Sequence, residues 1–418
     1  MKLNKLFPTA FVALLAAGGL VGCGGGEDPN HILIWAVGEE QAVLDKLAAS
    51  YNDSVDDADK ITFTFKGISE ADAGTEVRKD ATSANAPDLF LAVDDHLFSL
   101  QGQRCVLDIS ESPYADGIKT NNVQDAVDGS TYDNHLYGFP VTNDNGYFLW
   151  YNSSILTSGQ VGSLESILQN LPSGKQLLFD VENGYYLPSI FLSKDVCGLD
   201  SCTYADTEDG VKYTLTWDNS AAVASFTALR NLCAANQAKI GVANNTTVVD
   251  KMISGEAGAA IFGPHVYTQL KAELGNNLQA TKLPTLNGKQ LASLSGSKVY
   301  LINGAKNMSA EKQARVAKFA DYITNKESQL VRFETRGTIP CNKAALQDTR
   351  YTSNKPLTAT ALELQKAAGT ALQAKVAEAS FWDPIGAIGD AALNGLPSGQ
   401  SAQQLLHAQC QILRGNAD

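Results

Sequence analysis

Asp94-Asp95-His96 and Asp144 are the residues of this chain that come closest to a set able to do chemistry. Two carboxylates at a suitable separation can serve as acid and base on a glycosidic bond. Sequence spacing does not fix that separation, and an aspartate that ends a strand and precedes Leu97-Phe98 is equally a helix cap. Other catalytic signatures are missing from the sequence: it has no Gly-x-Ser-x-Gly, no His-Glu-x-x-His and no phosphate loop. Its 5 histidines join no spaced ligand set, and the stretch from Asp53 to Asp59 departs from the calcium-loop pattern. No metal and no other cofactor is called for.

The elements that must carry these residues follow from periodicity. Ile32-Leu33-Ile34-Trp35-Ala36 and Asp88-Leu89-Phe90-Leu91-Ala92 are continuous apolar runs, as expected of strands buried on both faces, with Trp35 in the core. Val43, Leu44, Leu47, Ala48 and Tyr51 form one helical stripe, Ile61 to Phe65 alternates as a strand, and 69–85 reads as a helix. This strand–helix alternation predicts an α/β domain with a mainly parallel sheet. A second α/β region follows the β-prone run 147–151, with strands at 177–179 and 259–262 and helices at 221–236 and 247–254. Residues 197–217 read as an inserted hairpin. A strand at 298–302 and helices at 310–323, 360–379 and 400–413 complete the chain.

The 418 residues suffice for about two domains, and the formal charge of −13 offers no basic cluster for nucleic acid. Lys2 and Lys5, the apolar run from Phe7 to Leu20, and Leu20-Val21-Gly22-Cys23 resemble the signal peptide and lipobox of bacterial lipoproteins. That resemblance implies a signal peptide over 1–22, lipidation of Cys23, and a flexible leash over 23–29. The body would then stand outside the cytoplasm in the cell envelope, held to the membrane by lipid. Six cysteines remain. Cys197 and Cys202, joined by a short turn, are the best local disulfide pair, whereas Cys105, Cys233, Cys341 and Cys410 cannot be paired from sequence.

Several stretches, in order, resemble the extracellular solute-binding proteins of bacterial ABC sugar importers, the maltose/maltodextrin-binding group above all. They are Ile32 to Glu40, Ala86-Pro87-Asp88-Leu89-Phe90 with Asp95-His96, Tyr137-Gly138-Phe139-Pro140 with Tyr151-Asn152, Phe262-Gly263-Pro264-His265, Leu283-Pro284-Thr285, and Ser380-Phe381-Trp382. The resemblance implies a two-lobed α/β fold of the periplasmic-binding-protein type (type II), hinged between lobes. One lobe would hold 30–142 and 295–338, the other 145–292 and 340–418. It further implies a non-enzymatic, monomeric receptor that captures an oligosaccharide in the cleft and delivers it to a membrane permease. Maltose or a maltodextrin is the first expectation, another oligosaccharide the next. A surface carbohydrate-active enzyme, or the same fold carrying a polyamine or other small solute, are the alternatives.

Residue by residue, the resemblance assigns Trp382 and either Tyr185 or Tyr186 to stacking on sugar faces, and Asp95 to hydroxyls. Glu39 or Glu40 would be the acid of the first loop, and Asp144 or Asn145 the polar group beside the lobe crossover. The chain also departs from the pattern. His96 replaces an arginine, His265 replaces a stacking tryptophan with Tyr267 two residues on as a substitute, and Gly386 lies near a further arginine position.

Overall fold

A computed structural model describes residues 28–207, 210–377 and 380–415; the expected signal peptide, Cys23 and the glycines after it lie outside them. Two sheets organise the described chain. In the first, strands Thr62–Gly67, His31–Ala36 and Leu89–Val93 run parallel, and Ser293–Ile302 lies antiparallel beside Leu89–Val93. Gly138–Gly146 pairs antiparallel with the other edge of that long strand, and Thr370–Leu372 pairs parallel with its first residues. The second sheet has the order Ile240–Gly241, Gln176–Leu178, Ala257–Phe262, Phe148–Asn152, Leu278–Thr281. Only Phe148–Asn152 runs against its neighbours there.

The second sheet therefore has one reversed strand, Phe148–Asn152, and the first has two, Ser293–Ile302 and Thr370–Leu372, against four that run together; Phe148–Asn152 and Ser293–Ile302 belong to the two crossovers. Gly138–Gly146 leads straight into Phe148–Asn152, and Ser293–Ile302 brings the chain back. A strand arriving from the other lobe needs no crossover helix, so it can enter against the parallel set. The cores follow the sheets. Residues between Tyr147 and Leu294 and between Ala361 and Leu413 form one cluster, and the two faces of the first sheet carry two more.

The helix Gln41–Ser54 buries the expected stripe of Val43, Leu44, Leu47, Ala48 and Tyr51. Trp35 is buried, with the Lys66 ammonium 3.6 Å from its ring centroid. The helix expected over 69–85 spans only Glu70–Lys79, because Asp80 and Ser83 close turns and the Ser83 hydroxyl accepts from Asn85 N at 3.1 Å. The helix expected over 360–379 is Leu357–Ala368, broken at Gly369 (φ 149°), followed by Thr370–Leu372 and a short turn of helix Gln373–Val376. The hairpin is present as Cys202–Thr207 against Gly210–Leu215.

Cys197 and Cys202 are both free thiols here. Cys197 Sγ donates towards Thr216 O, while Cys202 sits opposite Leu215 in the ladder, turned into the core with Sγ near Val376 O. Adjacency in sequence does not bring the two sulfurs together once the intervening turn has set their directions. Among the described residues no helix is long and apolar enough to cross a membrane.

Candidate ligand-binding site

The site forms where the strands of the first sheet end against the second lobe. Asp94, Asp95 and His96 make a single turn immediately after Leu89–Val93. Asp94 is buried, and its Oδ2 accepts from Ser297 N at 2.8 Å. Asp94 Oδ1 and Asp95 Oδ1 are both buried with no hydrogen-bond donor. Burial, with the Asp95 charge adding, holds the Asp94 carboxyl well above the usual carboxylate range. His96 turns back onto the helix Glu70–Lys79. Its ring lies on Gly74, where a Cβ would stand 2.6 Å from the imidazole, and Nε2 pairs with Ala71 O at 2.8 Å.

Aromatic residues supply the opposite wall. Tyr185 packs edge-on against Tyr147 and Tyr186 at 5.0 and 5.1 Å, and Trp382 stands 6.3 Å from Tyr185. Trp382 opens the helix Trp382–Asn394, and it can approach the tyrosine loop because residue 184 is glycine: a Cβ there would lie 2.6 Å from Trp382 O. Tyr185 and Trp382 are half-buried, whereas Tyr186 is buried and stacks on Phe262. The partly open rings are thus Tyr185 and Trp382, with Tyr186 packed beneath Tyr185. The charges of Asp95 and Asp94 reach the Tyr185 hydroxyl, which burial already holds well above the usual phenol range.

The first-loop acids divide in the same manner. Glu39 is exposed, but Glu40 is completely buried: Arg332 Nε donates to it at 2.5 Å, Arg336 Nη1 donates to its second oxygen, and Tyr300 OH donates at 3.3 Å. Glu40 is spent on structure and is removed from the ligand set. Asp144 is also engaged, accepting from Thr142 Oγ1 at 2.7 Å and from Ile339 N at 3.1 Å, which ties the crossover strand to the segment after the helix Lys326–Arg336. Asn145 Nδ2 donates to Gln373 Oε1 at 3.0 Å. Both are hinge fasteners in this structure. Tyr267 stacks on Trp150 at 6.1 Å as the first residue of its helix, and so belongs to the lobe's packing.

His265 is solvent-accessible, with Nε2 paired to Asn245 Oδ1 at 2.7 Å. Although the ring is open at its edge, the protein mass around it lowers its pKa to about 4, with the Lys298 charge adding and Asp144 opposing. Sequence reasoning missed the charged floor: Lys298 lies 3.5 Å from Glu70 and 3.9 Å from Asp144, and Arg336 lies 4.0 Å from Glu70. Desolvation acts to lower the Lys298 pKa, but Glu70 and Asp144 outweigh it and the net shift is upward. In the sequence Lys298 is marked only as the one charged residue of the strand Ser293–Ile302, eight of whose ten residues are buried. Beyond Tyr186 and Phe262 an open cavity of 780 Å³ continues along Asp180, Asn183 and the start of the helix Asn245–Ile253.

At one end the lobes already touch. Phe98 packs edge-on between Tyr132 of the first lobe and Tyr204 of the hairpin, at 5.3 and 5.1 Å. Lys375 pairs with Asp128 at 2.5 Å beside them. Among the described residues no group of histidine, cysteine and carboxylate side chains is arranged to hold a metal ion.

Comparison with known proteins agrees with this architecture. A profile of bacterial extracellular solute-binding proteins matches residues 46–359. Among solved structures, the maltodextrin-binding protein MalE1 from L. casei BL23, without ligand, aligns with TM-score 0.76 at 22% identity, covering 92% of this chain and 98% of that one. The extracellular solute-binding protein from Staphylococcus aureus in complex with maltose aligns at 0.69 and 18%, covering 94% and 98%. The Thermus thermophilus maltotriose-binding protein with maltotriose aligns at 0.71 and 14%, covering 92% and 99%. At these identities the likeness is one of fold. No curated protein sequence matches the chain.

Proposed function

The chain belongs to the family of bacterial extracellular solute-binding proteins, and from that premise we propose that it is the lipid-anchored receptor of an ABC sugar importer. It captures an oligosaccharide of the maltose/maltodextrin kind between its lobes and hands it to a membrane permease. The half-buried Asp95 carboxylate, whose charge reaches Tyr185, and the half-buried rings of Tyr185 and Trp382, 6.3 Å apart, carry the reading. Pyranose hydroxyls donate to the carboxylate, and a C–H face covers the rings. The structural neighbours named above, two of them solved with maltose or maltotriose, support that choice of cargo.

The lobes that move would be 30–142 with 295–338, and 145–292 with 340–418, turning about the two crossovers. The protein would act as a monomer, binding without turnover, with Cys23 lipid holding it to the outer face of the membrane. The test is a thermal-shift and calorimetric screen of the soluble body, from about residue 27, against mono- and oligosaccharides and polyamines. Saturable binding of maltooligosaccharides, raising the melting temperature by mass action, is the expected result. A shift with a polyamine and none with any sugar would overturn the cargo; hydrolysis of a glycan would overturn the receptor.

A further inference from the structure

The charged floor of the cleft holds a donor that the fold leaves unspent. Lys298 stands opposite Val93 in the ladder, at the end of the first sheet where the Asp94–His96 turn begins. Its ammonium lies 3.5 Å from Glu70 Oε1 and 3.9 Å from Asp144 Oδ1. Both gaps exceed the roughly 2.7–3.2 Å of an ordinary N–H···O bond. Asp144 has already committed Oδ1 to Thr142 Oγ1 and Oδ2 to Ile339 N. The two carboxylates therefore hold Lys298 charged, against the desolvation that opposes it, while its three N–H groups stay free for another acceptor. Glu70 Oε1 is buried without a donor, whereas the Lys298 ammonium retains open surface on a side chain that is 16% exposed. From the second lobe, His265 comes near enough for the Lys298 charge to act on its ring. The unspent donor thus lies between the lobes.

We propose that Lys298 is a specificity-determining residue of the cleft, donating from its ammonium to one hydroxyl oxygen of the bound sugar, with Glu70 and Asp144 fixing its charge and place. The assignment rests on the receptor reading above and adds a contact to it. The group that Lys298 takes is uncharged. A cation there would meet Lys298 itself and Arg336, which stands 4.0 Å from Glu70; an anion would meet Glu70 and Asp144. A hydroxyl oxygen accepts the N–H and adds no charge. An ammonium taken largely out of water without a short bond costs free energy that a ligand oxygen recovers. The bond it makes is charge-assisted, and so stronger than one between neutral groups. A sugar carrying hydrogen in place of that hydroxyl leaves the ammonium unbonded. Such a sugar is rejected by more than the loss of a contact, so Lys298 selects among sugars as well as holding them.

The test is calorimetry of the soluble body with maltotriose and with its monodeoxy analogues, each lacking a different hydroxyl, on the unaltered protein and on Lys298→Met. The substitution is expected to weaken maltotriose roughly ten- to a hundredfold. One analogue should bind the unaltered protein more weakly than maltotriose by a like factor, yet bind Lys298→Met as well as maltotriose does. That loss of discrimination is a pairwise coupling, which a lysine serving only the fold would not produce. If Lys298→Met does not fold, Lys298→Gln, which keeps a polar end between the two carboxylates, reads the same coupling. Equal maltotriose affinity in the unaltered and substituted proteins, or a weakening shared alike by every analogue, overturns the assignment and leaves the receptor reading intact. Failure of the unaltered protein to bind maltotriose removes the maltodextrin reading, and this assignment with it.

Discussion

Asp94 and Asp95 are neighbours on one turn with separate tasks. Asp94 is wedged against Gly129 and Gly296 and holds the Ser297 amide, whereas the half-buried Asp95 is the group placed to meet a ligand. Asp95→Asn should cost about 1.5–3 kcal/mol of oligosaccharide affinity, a loss of roughly ten- to a hundredfold. Its melting temperature should stay near that of the parent, and calorimetry beside a thermal scan separates the two. Glu40→Gln should behave in the opposite way. It leaves Arg332 and Arg336 buried beside a neutral amide, so unfolding free energy should fall by about 3–5 kcal/mol in a denaturant titration. His265 should titrate in NMR near pH 4 rather than near the ordinary histidine value of about 6.5. Its folded pKa is depressed, so protonation favours the unfolded chain. Its contribution is complete above pH 6.5 and declines as the pH falls towards 4. Lys298→Met, which removes one cause of the depression, should raise that pKa; no movement would mean that the Lys298 charge plays no part in it.

Among the elements, the C-terminal helix Ala402–Leu413 is fastened to the base of the hairpin through Asp218. Arg414 donates to both of its oxygens at 2.8 Å, and His407 pairs with it at 2.9 Å. Hydrogen bonds from Arg414 are the main cause that lowers the Asp218 pKa to about 2, with burial opposing and His407 assisting. The stability this adds is complete above the unfolded value of about 4 and is lost as the pH falls through about 2. Asp218→Asn should therefore lower the urea midpoint at pH 7 and make its decline between pH 4 and 2 shallower than the parent's. A parallel decline in both proteins would show that the contact carries no linkage. The short element Gln373–Val376 has a different duty: it lies against the Asp94–His96 turn and, through Lys375, against Asp128.

At the scale of the molecule, the observed lobe contact at Phe98 marks one end of the cleft as nearly closed, and the cavity along Asp180 and Asn183 marks the other as open. A ligand that bridges Asp95 and the Tyr185–Trp382 wall should draw the lobes together, as hinge closure does in two-lobed receptors. X-ray scattering should then show a smaller radius of gyration on adding maltotriose. Tyr204→Ala with Lys375→Ala, which removes ring and ion-pair contacts between lobes, should increase the radius of the free protein and weaken sugar binding. An unchanged radius in both experiments would mean that the lobes do not move.

Periodicity and chain order determined the mainly parallel sheets, the Gln41–Ser54 helix face, the inserted hairpin and the ordered likeness to solute-binding proteins, because these depend on local apolar patterns that each element carries in itself. The same patterns ran past Gly369 and Lys79, where a single backbone conformation or a pair of turn bonds ended a helix. The site was legible only by residue type. That Asp95 is open while Glu40 is sealed by Arg332 and Arg336, nearly 300 positions away, follows from the crossovers that bring distant segments together. Asp144 and Asn145 becoming hinge fasteners, His96 turning onto Gly74, and Cys197 and Cys202 facing different neighbours were likewise decided by tertiary packing. A side chain's partners are set by the rest of the fold, and one chain order can place a carboxylate in a cleft or in a core.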